Sequence, residues 1–273
     1  MLLVVSGCAG GQAVRPSPSP AAPSPAPLIT PSPSPLPSPA ADISSATGVG
    51  MTLQAAWPYL QAADPPETAA WAPIQQRALL ALVDHRDWRS AALAGLPAGA
   101  AANSRSELQA LDDLHTLNPP YASPPPWQVV EPPSLAQLRA WYLEAEQRYG
   151  VPWRYLAAIH FVETQFGRIN ADSRTGAQGP MQFEPATWAE YGQGDVHDPY
   201  AAILAAARYL HASGAPARMD SAIYSYNPTR LYVDCVDVYA AMFGASDQLL
   251  LAHYDWAVYT WTARGLIYMY STP

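Results

Sequence analysis

The chain has 273 residues and a formal net charge of −8, with 14 basic against 22 acidic residues. With no basic patch, this balance argues against nucleic acid as a partner and gives no electrostatic pull toward an anionic wall. Two cysteines, Cys8 and Cys235, exclude a disulfide framework, and no apolar run approaches the ~18 residues of a spanning helix.

The first segment, residues 1–14, reads as a signal remnant. Val5-Ser6-Gly7-Cys8 has the pattern of a bacterial lipobox, an aliphatic residue and two small ones before a cysteine that takes lipid. Only Met1 to Val5 precede it, without a basic start, whereas a working signal has about 7 to 15 apolar residues. The true start is therefore expected upstream. Residues 15–41 follow as a Pro/Ser/Ala-rich spacer holding eleven of the chain's 30 prolines. Too little apolar surface is available there to offset ordering, so an extended linker is expected. Lipid on Cys8 would place the protein at the membrane, in the cell envelope outside the cytoplasm.

Residues 42–117 read as three helical segments with no recognisable chemistry. One is expected to start near Pro73 and stop at Gly95. Another carries Leu108, Leu111, Leu114 and Leu117 three apart. Residues 118–133 (NPPYASPPPWQVVEPP) break all periodicity and should connect two helical parts.

Stronger punctuation marks residues 134–244. Ser134 and Gln137 form a capping box, Gly150 ends that helix, and Pro152 opens the next, which runs to Phe166. A helix begins at Pro185, another at Asp198-Pro199, and two more span Asp220 to Asn227 and Arg230 to Phe243. In the extension 245–273, WAVYTW and LIYMY alternate about Ala263-Arg264-Gly265, a terminal β-hairpin. The fold class is mainly α. Cys235 lies among apolar neighbours and reads as a buried structural thiol.

Chemistry concentrates in VETQFGRINADSRTGAQGPMQFEPATW, residues 162–188. The Pro152 helix is apolar almost all round, so Glu163 near its end should face inward. Burial and the helix C-terminus both disfavour a carboxylate there and raise its pKa, as suits a general acid. The competing reading is a structural ion pair with Arg168 or Arg174; the helix alone does not separate the two. His160 and Glu163 make an H-x-x-E pair, but without HExxH, a second spaced His or a Cys pair, no metal or other cofactor is expected. Asp195 and Asp198 read as helix-end caps, and so does Glu184. Phe183, Trp188 and Tyr224 read as core.

Glu163-Thr164-Gln165-Phe166-Gly167, then GAQGPMQF from Gly176 to Phe183, then Tyr226-Asn227, resembles the ordered signature of the lytic transglycosylases. These are lysozyme-like enzymes that cleave peptidoglycan. The resemblance covers about Ser134 to Gly244 and is closer to the secreted transglycosylases of actinobacteria. Where the wider family has Ser, Leu and small residues, this chain has Thr164, Pro180 and Pro228. The resemblance implies a lysozyme-like helical domain acting on peptidoglycan glycan strands. In it Glu163 would be the single acid/base and Thr164 the hydroxyl near the sugar's acetamido group. Met181 and Gln182 would line the saccharide groove, Gly179 would let the backbone approach the sugar, Tyr226 would sit by Glu163, and Asn227 would hold loop or substrate. Two other readings stay open: a hydrolytic muramidase on the same fold, and a non-catalytic wall-binding lipoprotein.

Overall fold

The computed structural model describes residues 42–62 and 64–270. The lipobox at Cys8 and the 15–41 spacer lie outside the described residues. Within them the chain is mainly helical, with eleven α-helices and two small antiparallel sheets.

Region 42–117 holds four α-helices rather than three: α1 (Ala46–Gln61), α2 (Pro65–Asp84), α3 (Arg89–Ala94) and α4 (Ala98–Leu117). The expected start near Pro73 is corrected to Pro65. Two local signals compete, and the stronger one is upstream: Asp64 caps the helix by accepting from the Glu67 N–H at 3.4 Å, Pro65 opens it, and Glu67 sits in its first turn. Pro73 is thereby interior, where it forgoes one backbone bond. The run also breaks at His85, before a 3₁₀ turn at Arg86–Trp88 and α3, whose C-cap is Gly95.

The connector 118–133 is tied down at both ends. Its strand β1 (Gln128–Val129) pairs with β2 (Ile169–Asn170), and Tyr121 exchanges backbone bonds with the C-terminal hairpin. The hairpin itself is as expected: β3 (Tyr259–Thr262) pairs with β4 (Gly265–Tyr268).

Helix α5 (Leu135–Tyr149) begins at Ser134, whose Oγ accepts from the Gln137 N–H, and ends at Gly150 in the left-handed conformation (φ 70°). Next comes α6 (Trp153–Thr164), in which every residue from Leu156 onward is buried. The elements α7 (Pro185–Tyr191), α8 (Pro199–Ala212), α9 (Met219–Tyr226) and α10 (Arg230–Ala245) start and stop near their expected punctuation. One more helix, α11 (Asp247–Tyr254), was not anticipated, although Ser246 caps it and Asp247 stands in its first turn.

α6 is the central rod. It packs against α5, α8 and α10, while α10 also packs against α4. One continuous apolar core therefore runs from Val49 in α1 to Trp261 in β3. Cys235 is fully buried within it, its thiol pushed up by burial, which fits a structural role. Tyr224 is corrected: it is 49% exposed, because α9 turns that position away from the core that Ala222 and Ile223 enter.

Candidate active site

The end of α6 sets the geometry. Gln165 (φ 52°) and Phe166 (φ 63°) both take the left-handed conformation, stopping the helix two residues before the expected Phe166. Their N–H groups return to the Phe161 and His160 carbonyls at 2.9 and 3.1 Å, which satisfies the helix end. Left-handed backbone costs about 1 to 2 kcal/mol for each non-glycine residue. Burial of Phe166, 1% exposed and 5.3 Å from the Phe161 ring, offsets it. The turn leaves Glu163 as the penultimate helical residue, with the loop folded back across it.

That loop is stapled by Thr164. Its hydroxyl donates to the Pro180 carbonyl at 2.6 Å and accepts from the Gly167 N–H at 3.0 Å, and the residue is fully buried. Gln178 and Phe183 exchange backbone bonds at 2.9 and 2.8 Å, closing a tight turn over Gly179-Pro180-Met181-Gln182. Inside it, the Gln182 amide donates to the Gly179 and Ala171 carbonyls at 2.8 and 3.2 Å. Gly179 has φ 72°, and a Cβ there would lie 2.0 Å from the Val196 carbonyl oxygen. Glycine is thus required there by the approach of this chain's own backbone.

α9 closes the other side. The Tyr226 hydroxyl donates to the Met181 carbonyl at 2.7 Å, and its ring lies parallel to that of Tyr232 at 6.4 Å. Asn227 is buried, and its Oδ1, like Gln182 Oε1, lacks a hydrogen-bond partner among the described residues. Native structures leave few such atoms unpaired. Orphan acceptors of this kind suit a ligand that brings donors. A cavity of about 390 Å³ lies beside the loop, lined in part by Gly167, Asn170, Gly179 and Pro180.

Glu163 itself is 3% exposed. Its hydrogen-bond partner is Tyr232 in α10, whose hydroxyl donates to Oε1 at 2.6 Å. Burial raises the carboxyl to about 8, against a smaller lowering from that bond. No cation balances it among the described residues. Arg168 binds the Tyr254 carbonyl and faces Glu131 at 3.6 Å, while Arg174 binds the Pro119 carbonyl and lies over the Tyr121 ring. Neither arginine offered as an ion-pair partner is therefore bound to Glu163.

His160 faces away, its Nδ1 bonded to the Tyr142 hydroxyl at 2.7 Å, and burial lowers it to about 3, so it is neutral. Asp198 caps α8 by accepting from the Tyr200 and Ala201 N–H groups. Glu184 is corrected: it makes no side-chain cap to α7 and instead accepts from the Thr175 hydroxyl at 3.4 Å, across the loop. Phe183 is core, and Trp188 packs on it at 5.3 Å.

Tyr232 escaped the sequence reading. The signal was present: Thr229 caps α10, and the buried positions 232, 233, 236, 239, 240 and 243 form one apolar face containing two tyrosines. A phenol on such a face needs a partner for its hydroxyl.

Residues 141–233 match the family described as Transglycosylase SLT domain. Over 79 residues the chain is 39% identical to membrane-bound lytic murein transglycosylase F of Thiobacillus denitrificans, covering 29% of this chain and 17% of that protein. Over 76 residues it is 39% identical to membrane-bound lytic murein transglycosylase F 1 of Alkalilimnicola ehrlichii, 28% of this chain and 15% of that one. The chain thus spans less than a fifth of the length of these curated relatives. The matched stretch runs from α5 into α10 and carries Glu163, the Gly179–Gln182 turn and Tyr226 on a mainly helical, lysozyme-like fold.

Proposed function

We propose that the protein is a peptidoglycan lytic transglycosylase with Glu163 as its single acid/base. One observation carries this reading: a buried carboxyl at a helix end, bonded by a tyrosine, with no cation against it among the described residues, its pKa raised to about 8 by burial. Because Tyr232 donates to Oε1, the acid proton sits on Oε2, free to pass to the glycosidic oxygen after N-acetylmuramic acid.

A conventional glycosidase uses two carboxylates flanking the scissile bond. Here Glu184 is engaged by Thr175, and Asp172 is exposed on the loop. With one acid, the substrate's own acetamido group stabilises the oxocarbenium-like charge. The Glu163 carboxylate then takes the proton of the sugar's C6 hydroxyl, which attacks C1. That hydroxyl is held in place and so outcompetes water. The product is a 1,6-anhydro-muramic end, lighter by one water than a hydrolysed end.

In this reading Thr164, Gly179, Met181, Gln182, Tyr226 and Asn227 meet the saccharide, while Thr164 and Gln182 also hold the loop. Digestion of purified peptidoglycan followed by mass analysis tests it: anhydro-muropeptides are expected as main products. Reducing muramic ends alone would move the protein to the muramidase reading, and no release at all to the wall-binding one.

In the same reading the enzyme works in the cell envelope as a lipoprotein of the secreted actinobacterial type, held by lipid on Cys8. Support comes from the lipobox pattern and the spacer behind it. No helix among the described residues is long and apolar enough to cross a membrane. A Cys8→Ser variant should leave the membrane fraction; retention there would remove the anchor from the account.

A further inference from the structure

A second cavity shares no lining residue with the loop turn. About 860 Å³ in volume, it opens between α3 and α4, in the region that the sequence left without chemistry. Its walls carry charges of both signs. Arg89 grips both oxygens of Asp112 at 2.6 and 2.7 Å and anchors its Nε on the Leu82 carbonyl at 2.8 Å. Arg86 adds a bond to Asp112 at 3.0 Å. These three residues neutralise one another into a fixed wall.

Two lining charges are left over. Asp113 is partly buried and has no cation against it among the described residues; burial, then Asp234 and Asp112, hold it up at about 6. Arg105 is exposed at the rim and has no ion-pair partner among the described residues. An unpaired acid inside and an unpaired guanidinium outside complement a ligand carrying an ammonium and a carboxylate. Leu93 and Leu108 line the same cavity and give an aliphatic stem something to lie against.

We propose that this cavity binds a short peptide with a free ammonium and a free carboxylate, the ammonium against Asp113 and the carboxylate against Arg105. The choice of a peptide rests on the proposed substrate, since peptidoglycan strands carry short peptides; the charge match does not. The cavity lies across α10 from the catalytic carboxyl. Cys235 in that helix feels the charges of both Asp113 and Glu163. A strand cut at Glu163 could thus leave its peptide held on the same protein.

Calorimetric titration of the full chain with Nα-acetyl-lysyl-D-alanine tests this without any turnover. Saturable one-site binding is expected for the wild type and equally for Glu163→Gln. Acetylating the lysine side chain, or the change Asp113→Asn, should weaken binding at least tenfold, and Arg105→Ala severalfold. Arg105 is exposed, so its variant separates binding from folding. No saturable binding, or affinity indifferent to both Asp113→Asn and Arg105→Ala, overturns the proposal. Loss of binding in Glu163→Gln also overturns it, by placing the peptide in the catalytic cleft.

Discussion

Two glutamates in this protein are buried almost completely, and they have opposite surroundings. Glu107 in α4 is fully enclosed. Its Oε2 accepts from Gln75 and Asn103 at 3.1 and 3.3 Å, and its Oε1 meets His253 Nε2. His253 Nδ1 lies 2.6 Å from the Leu249 carbonyl, which can only accept, so Nδ1 donates there and Nε2 faces Glu107. Every oxygen there is spoken for. Glu163 has the Tyr232 hydroxyl on one oxygen and no cation against it among the described residues. A buried carboxyl satisfied on both sides holds helices together; one left half-satisfied and protonated is ready to give its proton away.

Glu163→Gln tests the reactive side of that contrast and should have the largest effect. General acid/base groups contribute about 10²- to 10⁴-fold, and one group serving both steps puts the loss at the upper end. Activity measured as muropeptide release should nearly vanish while folding survives. Folding should in fact improve. The carboxyl is held near 8 in the folded chain against an ordinary 4.5. Between those values the unfolded chain gives up a proton that the folded chain keeps, so stability falls as pH rises from about 4.5 to about 8. The glutamine variant lacks that loss, so its melting temperature should gain on the wild type over this window. In the wild type, turnover should fall as pH rises through about 8, when the acid is lost.

His253→Ala tests the other side. Removing one partner from a buried pair leaves the other uncompensated, which costs about 3 to 5 kcal/mol. Denaturant unfolding should show a loss of this size. Turnover of the protein that remains folded should change little, because α11 carries none of the groups around Glu163. An unchanged midpoint would mean that Glu107 needs no partner, and the contrast drawn above would fail.

How legible each glutamate was follows from distance along the chain. The signals that placed α5, α6 and α8 are local: Ser134 with Gln137, Gly150, and Asp198-Pro199. So are the motifs that drew Glu163, the Gly179–Gln182 turn and Tyr226 into one site. Tyr232 lies 69 positions from Glu163, and His253 lies 146 from Glu107, so no local spacing reveals either pairing. The start of α2 failed differently. Pro65 and Pro73 are both valid first-turn prolines, and only the acceptor on Asp64 decides between them. Thr164 shows a third limit, since the Pro180 carbonyl it holds lies 16 positions along the chain and no local spacing reveals that bond.

A third, smaller effect belongs to that threonine. Thr164→Val keeps the shape but leaves the Pro180 carbonyl and the Gly167 N–H without their partner. Buried orphans cost about 1 to 3 kcal/mol each at most, so thermal denaturation should report a clear drop. Thr164→Ser restores both bonds and should recover both stability and turnover. Full turnover in the valine variant would show that the loop keeps its place without the staple.

The subtlest change is Tyr232→Phe, which removes the hydrogen bond from that hydroxyl to Glu163. The hydroxyl does two things: it fixes the carboxyl's rotation by occupying Oε1, and it favours the charged form slightly. Without it the proton is no longer confined to Oε2, so fewer molecules present it to the glycosidic oxygen. A neutral hydrogen bond contributes about 0.5 to 1.5 kcal/mol, so kcat should fall about tenfold at most, with KM nearly unchanged because the ring still packs against Tyr226. The alkaline limb of the pH profile should move up, since an influence that lowered the carboxyl's pKa is gone. A purely structural tyrosine would lower turnover without moving that limb. A limb that moves down would show instead that Tyr232 favours the protonated acid, and that the oxygen it binds is the one that carries the proton.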